Sequence, residues 1–339
     1  MRYPLPLQKN DTIGTTAPSM GVSDNLIEVL DGAIINLNQL GFKIKETASV
    51  RKIFKAVSAS PRQRAKEFMS LYFDDEVKAI IPARGGEFLM DMLPYLVYEK
   101  IKSSKPKWIL GFSDISTLLF TLTLKCDLAG AHGPLLIHFD GNPIDETTVN
   151  ALNILQSENI IRQESIGCLG EDFSEFIEYN PDVEKFSKYG QWILLGDEDE
   201  CNFNGRLIGG GLDTLRSLIG TPFAPVREFI SKYYEDGFIW YLESCSMNAG
   251  DIYKTLWQMK MNGWFENCKG VLYGRPDGYS DFDDFTLPDA LKNTFSEFNV
   301  PIIYNVDLGH IPPQLTLING AVAEVQYKNS RGIIIQKFI

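Results

Sequence analysis

Short apolar runs alternate with helical patterns through the first 130 residues, and this alternation constrains the fold more than any other feature. The runs predicted to be strands are 12–17, 42–45, 77–82 and 108–110. The helices predicted between and after them begin near Asp24, at Ser60-Pro61, at Leu89 and at Asp114. The order βαβαβαβα is typical of a doubly wound parallel sheet of the Rossmann or flavodoxin-like kind.

A polar, acidic stretch without clear periodicity, residues 166–190, separates this region from the rest of the chain. We therefore predict an N-terminal α/β domain over 1–165, a linker over 166–190 and a second domain over 191–339. At least one helix, roughly 249–261, interrupts a strand-rich pattern there. The strands predicted in it are 192–195, 238–242, 270–273, 302–304, 315–317, 321–325 and 332–336. The predicted fold class is α/β, with a strand-rich α/β C-terminal domain.

Charge, cysteine content and the lengths of the apolar runs limit the partners and the compartment that we expect. The chain has 32 Lys and Arg against 44 Asp and Glu, a net charge of −12, which argues against nucleic acid as a partner. Its five cysteines are odd in number and lack a CxxC pair, as expected for free thiols. No apolar run has the length of a signal peptide or a membrane span. We expect a cytoplasmic protein that does not bind membranes.

Ser113 is the candidate nucleophile. It follows the predicted strand 108–110 and precedes a predicted helix, the position of a nucleophile elbow. Gly111 supplies the first glycine of GxSxG, but Ile115 occupies the second glycine position. Serine is also a preferred helix N-cap, so the spacing alone leaves both interpretations open.

A hydroxyl nucleophile needs a base, and the chain has only three histidines. His310 follows an apolar strand, on a loop introduced by Gly309 and stiffened by two prolines. His132 and His138 flank Gly133-Pro134, close in sequence to the Ser113 helix, and remain competing candidates. The simpler alternatives are a surface histidine for His310 and a packed residue at the start of a strand or loop for His132.

Glu243 is the candidate for orienting the base, because it ends the apolar run 239–242 at a predicted strand terminus. An ordinary acid at a strand end is the simpler alternative. The acidic run 281–284 lacks the spacing of a calcium loop.

Two glycine clusters are candidates for the substrate site. Gly85 and Gly86 follow a strand, and their amides, with that of Asp114, could form an oxyanion hole. Gly210 and Gly211 lead from a strand into a helix and could line the site. Neither cluster matches the phosphate-binding patterns GxGxxG or GxxxxGK[ST].

These pieces stand in one order along most of the chain. The motifs are Ala17-Pro18-Ser19, Arg64-Ala65, Arg84-Gly85-Gly86, 111–115, Gly133-Pro134, 208–210, Leu242-Glu243, 270–274, Gly309-His310, 313–317 and Asn319-Gly320. The joint pattern resembles the serine LD-carboxypeptidases, and within them the branch of the microcin C self-immunity peptidases.

The resemblance implies a triad of Ser113, Glu243 and His310, with the amides of Gly86 and Asp114 as the oxyanion hole. It places the nucleophile on one domain and the other two residues on the second. Such enzymes cleave an amide near a free or modified carboxyl end, without a metal or cofactor. The implied substrates are a murein peptide with a terminal D-residue, or a peptidyl-nucleotide whose aspartyl group is joined to a phosphoramide.

This sequence departs from the family pattern at Gly211, where the family usually has asparagine.

The segment 242–275 and the chain length resemble the immunity branch more than the carboxypeptidases proper. The resemblance also implies a homodimer. A non-catalytic protein that binds small molecules or peptides on the same fold is the competing hypothesis.

Overall fold

The computed structural model describes residues 1–166 and 191–339, so the predicted linker, 166–190, falls outside the described residues except for residue 166. The division of the chain at this linker stays a prediction. The strands are β1 (Thr12–Thr15), β2 (Lys43–Glu46), β3 (Val77–Ile80), β4 (Trp108–Gly111), β5 (Gly130–His132), β6 (Ile160–Glu164), β7 (Ile193–Leu194), β8 (Glu200–Gly211), β9 (Phe238–Glu243), β10 (Cys268–Gly274), β11 (Ile302–Val306), β12 (Leu317–Asn319), β13 (Val322–Lys328) and β14 (Arg331–Lys337).

Helices cover the sheets and connect the strands. The α-helices are α1 (Ile27–Gln39), α2 (Pro61–Tyr72), α3 (Tyr98–Ser103), α4 (Ile115–Cys126), α5 (Glu146–Leu155), α6 (Leu212–Leu215), α7 (Val226–Lys232), α8 (Ala249–Met261) and α9 (Leu287–Phe295). Short 3-10 helices occur at Asp24–Leu26, Leu89–Tyr95, Leu136–Phe139, Arg216–Leu218, Tyr234–Asp236 and Ser296–Phe298. In the ranges 1–166 and 191–339, none of the helices has the length and apolarity needed to cross a membrane.

The strands form two mixed sheets, and the predicted α/β fold class is confirmed. The first sheet has the order β12-β5-β4-β3-β1-β2, in which β1 to β5 run parallel and β12 pairs antiparallel to β5. The second has the order β6-β14-β13-β8-β9-β10-β11-β7, with β8 to β11 parallel and the outer strands antiparallel. In parallel sheets, side chains at the carboxyl ends of the strands face a common edge, where sites commonly form.

Each sheet contains a strand from the other half of the chain. Strand β12 places Leu317 opposite His132 and Asn319 opposite Gly130 in the first sheet. Strand β6 pairs with β14 in the second sheet. Each half of the chain therefore contributes one strand to the sheet of the other half.

Helix α4 lies in the core between the two halves, and all of its residues except Lys125 are buried. A helix that is apolar on all sides is expected to be buried on all sides. The ring of Phe120 lies 6.1 Å from that of Trp240 and 5.2 Å from that of Trp264. The turn that precedes α4 is therefore held at the boundary between the halves.

Most sequence-predicted elements are present, but two of them differ in form, and the sequence patterns did not predict β5, β6, α5, α7 or α9. The predicted helix 89–98 is a 3-10 helix followed by α3, and Pro94 inside the first piece explains the interruption, because proline cannot donate a helical hydrogen bond. The strand predicted at 315–317 is β12, at Leu317–Asn319, and it belongs to the first sheet. Helix α8 matches the predicted 249–261.

Candidate active site

Ser113 lies on the sharp turn between β4 and α4, with a backbone φ of +58°. This left-handed conformation is uncommon for residues other than glycine and is often found at functional sites. A side chain on Gly111 would meet Ile115 at 2.9 Å, so the small residue allows the turn to close beneath the serine. The N-cap of α4 is Asp114, and the Ser113 hydroxyl hydrogen-bonds no described residue. The helix-capping interpretation of Ser113 thus lacks the bond it requires.

Gly85 and Gly86 pack beside this turn. A Cβ on Gly85 would lie 2.9 Å from both Cβ and Oγ of Ser113 and 3.7 Å from the Asp114 amide nitrogen. Gly86 has a φ of +150°, and a Cβ there would meet the Ser19 hydroxyl. The absence of side chains leaves the backbone of this loop close to the serine and to the amide of Asp114.

The side chain of Asp114 fixes the surroundings of the turn. One carboxylate oxygen accepts from the Ser19 hydroxyl at 2.5 Å and from the Leu89 amide at 2.8 Å. Burial raises the pKa of Asp114, and these two hydrogen bonds oppose that rise. The carboxylate thus joins three loops around the candidate nucleophile.

His310 and Glu243 are in direct contact, with Nδ1 of the imidazole 2.9 Å from Oε2 of the carboxylate. Glu243 is fully buried, whereas 17% of the His310 side chain is exposed. Burial alone would lower the pKa of His310, but the facing Glu243 carboxylate raises it to about 9. Burial likewise opposes ionisation of Glu243, and the charge of His310 outweighs it and holds the pKa of that carboxyl below its ordinary value.

Three glycines make room for the Glu243 side chain at the end of β9. A Cβ on Gly211 would lie 2.9 Å from Oε1, one on Gly309 would lie 2.9 Å from Oε2, and one on Gly274 would lie 3.0 Å from Cβ. Gly309 also has a φ of +101°. Side chains at these positions would displace the carboxylate, which explains why a glycine precedes His310.

Two contacts bring the candidate nucleophile and the His310–Glu243 pair to the same place. The ring of Phe112, next to Ser113, meets the His310 ring edge-on at 4.8 Å between centroids. The amide of Gly211 donates to Ser116 Oγ at 3.1 Å, which links β8 to the first turn of α4. Within the described chain, no hydrogen bond joins Ser113 to His310. Such bonds are often long in unliganded enzymes.

The two competing histidines lie nearby but lack a carboxylate partner. His132 is buried, and neither of its ring nitrogens has a hydrogen-bond partner among residues 1–166 and 191–339. Burial lowers the pKa of His132 to about 4, so its imidazole is neutral. His138 is exposed, and its Nδ1 accepts from the Leu135 amide at 3.0 Å. Of the three, only His310 has the orienting contact that a general base requires.

The predicted substrate-site glycines have different surroundings. Gly210 is packed against α4, because a Cβ there would lie 2.7 Å from Ser116 Cβ. A Cβ on Gly211 would instead lie 2.9 Å from Glu243 Oε1 and 3.4 Å from both Asp213 Oδ1 and Thr214 Oγ1. These side chains fill the space beside Gly211, so an asparagine at this position would displace the Glu243 carboxylate.

Asp213 belongs to the same cluster, and sequence reasoning did not select it. Its carboxylate accepts from the Cys245 amide at 3.1 Å. Burial, and next the charge of Glu243, raise the pKa of Asp213 to about 7. The only local signal is its position two residues after Gly211, which does not reveal that β8 and β9 are neighbours.

A buried ion pair supports the His310 loop, residues 307–315. Arg275 Nη1 lies 2.6 Å from Asp307 Oδ1, and Nη2 donates to the carbonyls of Ile311 at 3.2 Å and Pro313 at 2.7 Å. The Leu315 amide closes the loop by donating to the Asp307 carbonyl at 2.8 Å. One guanidinium thus holds the beginning and the end of the loop that carries His310.

Arg275→Met should lower the free energy of unfolding by about 3–5 kcal/mol, because it leaves the Asp307 carboxylate buried without its charge partner. Urea unfolding of the variant and the wild type measures the difference. Lys254→Met, which removes an exposed ion pair with Asp251, is the control and should change stability by less than about 1 kcal/mol. An Arg275→Met protein as stable as the control would show that the pair does not support the loop.

No cluster of three or more potential metal-ligating side chains occurs in the part of the chain that the structure describes.

Two family models match the chain. The LD-carboxypeptidase N-terminal domain matches residues 13–133, and the LD-carboxypeptidase C-terminal domain matches residues 204–325. The chain belongs to the LD-carboxypeptidase family. It is therefore a peptidase, and the hypothesis of a non-catalytic binding protein is not supported.

Relatives of this LD-carboxypeptidase cover nearly its whole length. A putative carboxypeptidase of Vibrio cholerae is 26% identical over 97% of this chain and 96% of its own. The microcin C7 self-immunity protein of Escherichia coli is 25% identical over 98% of this chain and 96% of its own. A probable murein peptide carboxypeptidase of Bacillus subtilis is 24% identical over 98% of this chain and 93% of its own.

Solved structures share the fold of this LD-carboxypeptidase. A protein from Bacillus anthracis described as similar to the microcin self-immunity protein has a TM-score of 0.78 at 22% identity, covering 99% of both chains. The microcin C7 self-immunity protein in complex with aspartyl sulfamoyl adenosine has a TM-score of 0.78 at 21% identity, covering 99% of this chain and 98% of its own.

Proposed function

We propose that the protein is a serine carboxypeptidase in which Ser113 is the nucleophile, His310 the general base and Glu243 the group that orients His310. The observation that carries the proposal is the 2.9 Å contact between His310 Nδ1 and Glu243 Oε2, beside a serine in a left-handed turn. A buried carboxylate that holds an imidazole in one tautomer leaves Nε2 available to a hydroxyl.

The proposed reaction has two halves. Neutral His310 takes the Ser113 proton as Oγ attacks the carbonyl carbon, and the amides of Gly86 and Asp114 donate to the resulting oxyanion. The C–N bond then breaks as protonated His310 gives its proton to the leaving amine. Water then attacks the acyl-serine ester as it gives a proton to His310. The bond from the acyl carbon to Ser113 Oγ breaks, His310 returns the proton to Oγ, and the acid is released.

Two relatives suggest the class of substrate. One is a probable murein peptide carboxypeptidase, and the other is a microcin C7 self-immunity protein in complex with aspartyl sulfamoyl adenosine. We propose an amide next to a carboxyl end, in a murein tetrapeptide or in an aspartyl group joined to a nucleotide-like phosphoramide.

Hydrolysis of these two substrates by the purified protein tests the proposed function. A murein tetrapeptide and an aspartyl-nucleotide phosphoramide are incubated with the wild type and with Ser113→Ala, and the released amine is quantified by mass spectrometry. Release of amine by the wild type, but not by Ser113→Ala, supports the proposal. The substrate that is cleaved shows whether the protein acts as a murein peptide carboxypeptidase or as a self-immunity peptidase. Release from neither substrate contradicts it.

The raised pKa of His310 predicts an unusual pH dependence. Only the neutral imidazole can accept the Ser113 proton, so kcat/KM should increase with pH up to a limb near 9. Glu243→Gln removes the negative charge that raises this pKa, and the limb should move toward the ordinary value of histidine, near 6.5. The limb moves to lower pH because, without the Glu243 charge, the imidazolium form of His310 is less stable and loses its proton at a lower pH.

The measurement is kcat/KM between pH 5.5 and 10 for the wild type, Glu243→Gln and Asp213→Asn. Asp213 also raises the pKa of His310, by less than Glu243 does, so its variant should show a smaller shift in the same direction. An acid limb at the same pH in all three proteins would disprove the assignment of His310 as the base.

We also propose that the protein is cytoplasmic and forms a homodimer. Cys126, Cys201, Cys245 and Cys268 are free thiols, which supports a reducing, cytoplasmic environment. The homodimer implied by the family resemblance is tested by light scattering of the purified protein, with twice the chain mass of 38.2 kDa as the expected result.

A further inference from the structure

Arg84 lies in the loop that forms one wall of the proposed active site. On one side, the carbonyl of Ala83 accepts from the Ile137 amide at 3.3 Å, next to His138. On the other side, Gly85 packs against Cβ and Oγ of Ser113. The arginine is thus the residue before the glycine that touches the candidate nucleophile, and its side chain is half-buried.

The guanidinium of Arg84 has no partner in residues 1–166 and 191–339, whether a carboxylate, a carbonyl or an aromatic ring. Burial lowers the pKa of Arg84, and no neighbouring charge counteracts it. A half-buried cation without a partner is costly, because desolvation is not repaid by an ion pair. Its isolation is notable in a chain with 44 acidic residues against 32 basic ones.

Two other arginines near the site show what a structural role looks like here. Arg64 Nη1 donates to the carbonyls of Pro18 and Phe88, both at 2.8 Å, and so holds the loops beside Gly86. Arg275 is paired with Asp307 and holds the His310 loop. Both are almost fully buried and bound to the protein itself. Arg84 differs from both because its donors have no partner among residues 1–166 and 191–339.

We propose that Arg84 binds an oxyanion of the substrate next to the scissile amide. A guanidinium presents paired N–H donors that match a carboxylate or a phosphoryl group. The oxyanion is the terminal carboxylate of a peptide or the phosphoryl group of a nucleotide conjugate. This inference rests on the proposed function. It also explains how a protein of net charge −12 holds an anionic substrate, since a local cation acts where the overall charge repels.

Kinetics on matched anionic and neutral substrates test this role. The proteins are the wild type, Arg84→Ala, Arg84→Lys and Arg331→Ala, the last being an exposed arginine at a strand end away from Ser113. The substrates are a murein tetrapeptide with a free terminal carboxylate, its carboxamide analogue and the aspartyl-nucleotide phosphoramide. Arg84→Ala should lose roughly 10- to 100-fold in kcat/KM on the anionic substrate, mostly through KM.

The pattern of losses identifies the anion. A loss on the peptide acid with none on its carboxamide assigns the terminal carboxylate, and a loss confined to the phosphoramide assigns the phosphoryl group. Arg84→Lys should recover part of the loss, because it keeps the charge without the paired donors. Arg331→Ala should behave as the wild type. Equal kcat/KM for Arg84→Ala and the wild type on both anionic substrates would overturn the inference.

Binding to an inactive protein separates this inference from the proposed function. Calorimetric titration of Ser113→Ala and of Ser113→Ala/Arg84→Ala with the three compounds needs no catalysis. Weaker binding of an anionic compound to the double variant alone supports the role of Arg84, even if the wild type proves inactive. Equal affinities of the two variants for every compound would refute it, even if Ser113 proves to be the nucleophile.

Discussion

Ser113→Ala is expected to reduce kcat by at least about 10³-fold and to leave the fold intact. The reaction loses its nucleophile, while the protein loses little, because the Ser113 hydroxyl hydrogen-bonds no described residue. Alanine tolerates the left-handed backbone of this turn about as poorly as serine does. The free energy of unfolding should therefore change by less than about 1 kcal/mol.

Steady-state kinetics and urea unfolding of the same preparations measure both effects. Ser157→Ala is the matched control, since the hydroxyl of this half-buried serine after the end of α5 donates only to the Asn153 carbonyl among the described residues. It should keep the wild-type kcat. Normal turnover by Ser113→Ala would show that Ser113 is not the nucleophile, whatever the roles of Glu243 and His310.

His310→Ala is expected to lose as much activity as Ser113→Ala, because the two residues act in one proton transfer. For the same reason the double variant Ser113→Ala/His310→Ala should be no slower than either single variant. Glu243 would remain buried without its partner, so His310→Ala should also be less stable than Ser113→Ala.

His132→Ala tests whether His310, and not His132, is the base. His132 is buried against Tyr241, with ring centroids 5.4 Å apart, and its replacement leaves a cavity. The variant should lose about 1–3 kcal/mol of stability and keep most of its kcat. If His132→Ala instead lost activity as deeply as His310→Ala, while remaining folded, the base would have to be reassigned.

Much of the fold could be predicted from the sequence because its signals are local. Apolar runs of strand length, Pro61 after Ser60 and the spacing in α8 each concern neighbouring residues, and the corresponding elements are present. Pairings between distant segments leave no such signal. Strand β12 has three residues and lies in a sheet whose other strands end 185 residues earlier, at His132. No periodicity indicates that partner.

The candidate site also combines local features that the sequence predicts with long-range contacts that it does not predict. The positions of Ser113, Glu243 and His310 at the ends of strands are local features, and the family resemblance implied that they act together. The roles of Arg275 and Asp213 depend on partners that only the folded chain brings near. Arg275 meets Asp307 and two loop carbonyls, and Asp213 meets Cys245 because β8 and β9 are adjacent.

Labelling with a fluorophosphonate tests the central claim most directly, because only a serine activated by a neighbouring base reacts readily with this probe. The labelled protein is digested, and the modified peptide is located by mass spectrometry, with Ser113→Ala and His310→Ala treated in parallel. We predict one adduct per chain on Ser113 in the wild type, none in Ser113→Ala and much slower labelling in His310→Ala. An adduct on another residue, or a wild type that stays unlabelled while hydrolysing its substrate, would contradict the account.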